Sequence, residues 1–137
     1  MPSMTITHIN PESMHSNPAF TWAVRVPAGA DLVFIGGQNG VDQTGQVVGP
    51  DIASQTRQAL KNLLTCLDAA GARPEDVVKW TILIREGESL MDGFAAFNEV
   101  WGQRPNPPAI TSAFVAGLAV PGALVEIEAV AAVPAAG

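Results

Sequence analysis

The sequence predicts an α+β fold, a mixed sheet of about six strands with two helices packed on one face. Three observations predict it. Stretches with strand or helix patterning fall in the order β-β-β-α-β-α-β-β, so a run of strands is interrupted by only two helices. Residues 51–71 repeat apolar side chains at three- and four-residue spacing, as a helix lying across a sheet does. Residues 77–84, VVKWTILI, are rich in β-formers and turn apolar on both faces, which fits a central strand or a subunit interface.

Taken in order, residues 1–19 read as an N-terminal arm and 20–137 as a single domain. In the arm, residues 5–9 fit a short edge strand and the remainder is irregular. His8 and His15 have no Cys or carboxylate at ligand spacing, so no metal is expected. Residues 20–26 alternate weakly and read as a strand, 27–31 as a turn, and 32–35 as the next strand, which ends in Gly36-Gly37. A glycine pair at a strand end marks a bulge or a close backbone approach. Residues 43–46, QTGQ, form a hairpin-type turn in which Gly45 can take a positive φ.

Asp51 suits the N-cap of the long helix and Gly71 the position after its C-cap. Between them Ile52, Thr56, Ala59, Leu60, Leu63, Leu64 and Leu67 form the apolar stripe. Arg57, Lys61 and Asp68 are too few charges for a mixed surface helix, so this element contributes core and not chemistry. Ser89 caps a second helix with Leu90, Phe94, Phe97 and Trp101 on one stripe and Asn98 beside it. Pro105, Pro107 and Pro108 end that helix. Beyond them, Ala113-Phe114-Val115 is a short apolar run, Gly117 and Pro121-Gly122 punctuate the connection, and residues 124–130 alternate. Leu124, Glu126 and Glu128 face one way, and Val125, Ile127 and Ala129 the other. Two carboxylates on one face of an otherwise apolar strand mark either a solvated face or the wall of a polar cleft.

Composition narrows the classes. The chain has 137 residues, the size of one domain. It is 47% hydrophobic and 15% charged, and a small domain has limited interior for so much apolar surface. Part of that surface is therefore expected to lie against another subunit; the alternative is a high alanine content, which covers little area. The net charge of -6, with seven scattered Lys and Arg, excludes electrostatically driven binding to nucleic acid or to an anionic membrane. The single cysteine, Cys66, can form no internal disulfide and reads as a small buried core residue. With no charged-then-apolar leader and no apolar run of membrane-spanning length, a soluble cytoplasmic protein is expected.

The segment 108–128, PAITSAFVAGLAVPGALVEIE, resembles the C-terminal signature of the RidA/YjgF family, also described as endoribonuclease L-PSP or translation-initiation inhibitor. The likeness continues in FIGGQ (34–38), VDQTG (41–45) and residues 51–71, with QTRQAL and AAG in the family's order, and spans roughly residues 20–133. The resemblance implies a chorismate-mutase-like fold and a homotrimer whose sheets line a central barrel and whose clefts lie between subunits. It implies no cofactor, and a small-molecule ligand as partner.

Onto this sequence the family's site carries over unevenly. Glu126 stands where the family has the Glu thought to position the attacking water, and Asn98 matches a helix Asn near the cleft. Gly36 and Gly37 form the cleft floor, but many members carry Ser at the position of Gly36. Phe20 replaces a common Tyr, and Ser112 a common Cys. The largest departure is Ile110, where active members carry the Arg that holds the substrate carboxylate. Losing such a charge-assisted pair costs roughly 1.5 to 3 kcal/mol. Thr111 and Arg104 are the nearby substitutes, with Arg104 reading as a surface residue ahead of a proline-rich loop. The resulting expectation is a deaminase-type hydrolase of a small imine- or enamine-like metabolite, with little or no 2-iminoacid deaminase activity. The alternative is a non-catalytic trimer that binds a small molecule or stabilises a partner.

Overall fold

The computed structural model describes residues 5–135. The first four residues of the expected arm lie outside them. Six strands and two α-helices occur in the expected order: β1 Thr7–Ile9, β2 Ala23–Arg25, β3 Asp31–Gln38, α1 Ile52–Ala69, β4 Val77–Arg85, α2 Leu90–Trp101, β5 Ala109–Val115 and β6 Val125–Val133. A 3-10 turn, Pro74–Asp76, leads into β4.

The strands divide between two sheets. β3, β6, β4 and β5 form a four-stranded sheet in that order, antiparallel except for the parallel β4–β5 pair. β1 and β2 form a separate antiparallel ribbon, with Thr7 opposite Arg25. The arm is thus tied to the rest of the chain by strand pairing. Trp22 reinforces the tie: its indole N–H donates to the His15 carbonyl at 2.8 Å, and its ring meets His15 and Phe20 edge-on.

The caps fall where the residue types require. Asp51 accepts from the Ser54 N–H, and its other carboxylate oxygen takes the Ser54 hydroxyl at 2.7 Å. Hydrogen bonds to the ionised form hold the Asp51 carboxyl below its usual range. At the other end Gly71 has φ +74°, and the Ala72 N–H reaches back to the Leu67 carbonyl, closing a Schellman motif. Ser89 caps α2 through the Asp92 N–H.

Both helices cover one sheet face. Leu60, Leu63 and Leu67 of α1 and Phe97 and Trp101 of α2 pack on Trp80, Ile82 and Ile84 of β4 and Val125, Ile127, Ala129 and Ala131 of β6. Trp80, 1% exposed, meets Phe97 and Trp101 edge-to-face at centroid separations of 5.4 and 4.8 Å. Cys66 is half-buried against this core.

Two local readings are corrected. Leu124 does not share the face of Glu126. It precedes β6, it is buried in the core, and its N–H donates to Gln55 Oε1 at 2.8 Å, so the turn captures it before the strand alternation begins. β5 starts at Ala109, four residues before the apolar run, because its pairing with β4 begins at Lys79–Ala109. The expected bulge is present: register shifts between Ile35 and Gln38, at Gly36-Gly37.

Candidate functional site

Strand alternation sorts the predicted site residues onto two faces. Trp80, Ile82 and Ile84 point to the helices, so their register partners Ile110, Ser112 and Phe114 lie on the helix side of β5. Lys79, Thr81 and Leu83 point the other way. They share the open face with Glu126, Glu128 and Thr111 through the registers Leu83–Glu126, Thr81–Glu128 and Thr81–Thr111.

On the open face Glu126 is half-buried and lies against Gly37. A Cβ built on Gly37 would stand 2.7 Å from Glu126 Cδ and 2.8 Å from Cγ, so the glycine makes the room the carboxylate occupies. Gly36 has open space where a side chain would go. Neither Glu126 nor Glu128 has a hydrogen-bonding partner for its side chain among the described residues. Lys79 Nζ donates to the Thr111 hydroxyl at 2.6 Å and to the Trp80 carbonyl at 3.1 Å, so Thr111 is engaged on this face. A shallow hollow lined by Phe34, Gly36, Lys79, Thr81 and Glu128 adjoins the glycine bulge. Phe34 and Leu32 are 74% and 52% exposed here, a large apolar pair left without cover by this chain.

On the helix side Ile110 and Asn98 line one recess of about 230 Å³, between the second half of α2, residues 102–108 and the start of β5. Pro18 and Ala19 of the arm form another wall, held by the Thr21 N–H donating to the Pro108 carbonyl at 3.1 Å. Phe20, next in sequence, is half-buried with its ring edge-on to Trp22. Ser112 lies in an adjoining apolar crevice under α2, where the buried Thr56 hydroxyl has no partner among the described residues.

The predicted residues therefore form two groups in one chain. Gly36, Gly37, Glu126 and Thr111 belong to the open face, and Asn98, Ile110 and Ser112 to the helix side. β4 lies between β5 and β6, and Ile110 pairs with Trp80 while Glu126 pairs with Leu83, so the two are two strand spacings (about 10 Å) apart across the sheet, three residues (about 10 Å) apart along it, and on opposite faces. One further residue was missed from sequence, and one was placed wrongly. Gln55, 1% exposed, accepts from the Leu124 N–H and donates to the Gly49 and Gly122 carbonyls. Its polarity inside an apolar helix stripe was the available signal. Arg104 is not a free surface residue: it lines the Ile110 recess, stacked on Trp101.

No group of three or more His, Cys, Asp and Glu among the described residues could hold a metal ion. No helix among them is long and apolar enough to cross a membrane.

A small α+β domain with a glycine bulge beside a free carboxylate, and an apolar recess at the sheet edge, defines the class of protein. The family described as Endoribonuclease L-PSP matches residues 13–133, and the chain belongs to that family, the RidA/YjgF proteins. It is 37% identical over 117 residues to a RutC family protein of Pyrococcus horikoshii, covering 83% of this chain and 88% of the relative. It is 39% identical over 102 residues to the human 2-iminobutanoate/2-iminopropanoate deaminase, covering 72% and 71%. Among solved structures, a protein of the conserved Rid family from Yersinia pestis superposes with a TM-score of 0.79 at 32% identity, over 92% of this chain and 97% of that one.

Proposed function

We propose that this protein is a deaminase-type hydrolase of a small imine- or enamine-like metabolite, working in the cytoplasm as a homotrimer with its clefts between subunits. The observation that carries the reading is the Glu126 carboxylate, half-buried against Gly37 with no partner of its own among the described residues. Hydrolysis of an imine adds water across the C=N bond and expels ammonia. A carboxylate beside an apolar wall and free of competing donors is suited to orient that water and take its proton. The similarity to proteins named as imine deaminases supports the same chemistry.

The trimer is supported by the split of the site. A cleft that uses both Glu126 and Ile110 requires a second chain to bring the open face of one subunit to the sheet edge of another. The exposed Phe34 and Leu32 supply apolar surface for that contact. Ile110 favours a second reading, a non-catalytic trimer that binds a small molecule or stabilises a partner, because it leaves β5 without a cation for a substrate carboxylate.

The test is hydrolysis of the enamine generated from serine by a dehydratase, followed as keto-acid release. We expect slow but measurable acceleration that Glu126→Gln abolishes. A rate unchanged by Glu126→Gln would refute the catalytic reading and leave the binding one.

A further inference from the structure

The recess at the start of β5 carries a cation that the chemistry above does not use. We propose that Arg104 binds a carboxylate in this recess, and that the ligand is a small carboxylate with an apolar or aromatic body. The inference rests on reading the recess as part of the substrate cleft.

Arg104 and Ile110 line the same recess, and Arg104 is the one charged residue in its wall among the described residues. The guanidinium is already positioned. Its Cζ lies 4.8 Å from the centroid of the Trp101 ring, and its Nε–H donates to the Trp101 carbonyl at 3.1 Å. A guanidinium has five N–H donors in a planar fork. One more is taken by Glu75 Oε1, which accepts from Nη1 at 2.6 Å, and the Nη2 donors have no partner among the described residues. Stacking on an indole fixes the plane of the fork, so little freedom remains to be lost when an anion arrives.

The rest of the lining selects the body of the ligand. Trp80, Phe97, Trp101 and Ile110 are apolar, and the Asn98 side-chain amide, unpaired within the described residues, is a second polar contact. Apolar walls exclude water and strengthen a charge-assisted hydrogen bond within them. Arg104 enters from the loop after α2 and not from β5. It therefore holds an anion at a different point from a cation at 110, and Ile110 becomes an apolar wall beside a displaced anion site.

The test uses the intact protein and two probes of the same shape, 3-phenylpropanoate and its neutral amide, titrated against tryptophan fluorescence. The carboxylate should bind about ten-fold or more tightly than the amide, the factor one hydrogen bond to a charged group supplies. Arg104→Gln should erase that difference. Glu75→Gln, which removes the competing carboxylate, should widen it, and this variant decides the matter if Arg104→Gln fails to fold. Equal affinity for the two probes, binding of neither, or a difference that survives Arg104→Gln or fails to widen in Glu75→Gln would overturn the proposal. Turnover is read separately. Carboxylate binding through Arg104 with no imine hydrolysis would sink only the catalytic reading, and hydrolysis without carboxylate preference would sink only this one.

Discussion

Glu126 occupies the space where a side chain on Gly37 would begin: its Cδ lies 2.7 Å from the position a Cβ there would take. The two belong to neighbouring strands that meet at the bulge where β3 and β6 shift register. Gly37→Ala should therefore act on the carboxylate and not on the fold. The displaced atoms, Cγ, Cδ and Oε2, belong to one flexible, half-buried side chain that can swing aside, so stability should change by less than about 1 kcal/mol. Imine hydrolysis should fall toward the Glu126→Gln level. Urea titration and keto-acid release, run on the same preparation, check both halves. Gly36→Ser, with open space at its Cβ, should leave Glu126 in place and keep the rate.

Gln55 ties α1 and the loop just ahead of it, at Gly49, to the distant turn at Gly122 and Leu124. Gln55→Leu keeps the volume but leaves one N–H and two carbonyls of the backbone unpaired. Each such group costs about 1 to 3 kcal/mol when buried, so a loss of about 3 kcal/mol is expected. Gly40→Ala should harm the same junction by another route, since its Cβ would meet the Gln55 backbone at 2.5 Å. Chemical denaturation of both variants measures the effect; a loss within error for Gln55→Leu would show that the amide is dispensable.

Much of this architecture was legible because periodicity and caps are local. The stripe of α1 with Asp51 and Gly71 at its ends, the Ser89 cap and the bulge at Gly36-Gly37 all follow from residue type and spacing. The pairing of strands is not local. Nothing in residues 7–9 or 23–25 says that they form a ribbon apart from the main sheet, because that depends on which edge is free. The site was legible as a set of residues and not as a place. Alternation put Glu126 and Glu128 on one face, but Ile110 falls on the other only because β4 sets its register with β5. Arg104 reads as solvent-facing in sequence, since the indole that holds it lies three residues back in a different element.

Acid should weaken the fold in part through Asp51. Its folded-state pKa is lowered from 3.8, chiefly by the Ser54 hydroxyl and then by the Ser54 N–H. A depressed carboxyl contributes stability that is present above the unfolded value and lost as pH falls through the folded one. Tm should therefore drop as pH falls from about 5 downward, and drop less in Asp51→Asn, whose amide caps without titrating. Asp42, lowered in the same direction by Thr44 and Gln46, keeps the variant from becoming insensitive. Thermal unfolding across that range measures the difference, and parallel curves would contradict it.

Assembly should depend on Phe34. The wild-type chain should sediment at three times 14.2 kDa. Phe34→Asp should move the mass toward that of one chain, because covering a ring of this kind contributes about 1.5 to 3 kcal/mol per subunit and a carboxylate there opposes burial. Hydrolysis should be lost with the trimer. A wild-type monomer at micromolar concentration would refute the assembly.

The strand order β3-β6-β4-β5 places the last strand of the chain in the interior of the sheet. During synthesis β3 and β4 therefore emerge long before the strand that separates and joins them. Until Val133 has left the ribosome, each has an unpaired inner edge, and the core that Ile127 and Ala131 fill stays open to water. Such edges are templates for pairing with other nascent chains. A message that stops short of β6 would therefore yield aggregating material and not a smaller working domain. The carboxylate on which hydrolysis is proposed to depend is laid down in the same step that closes the sheet.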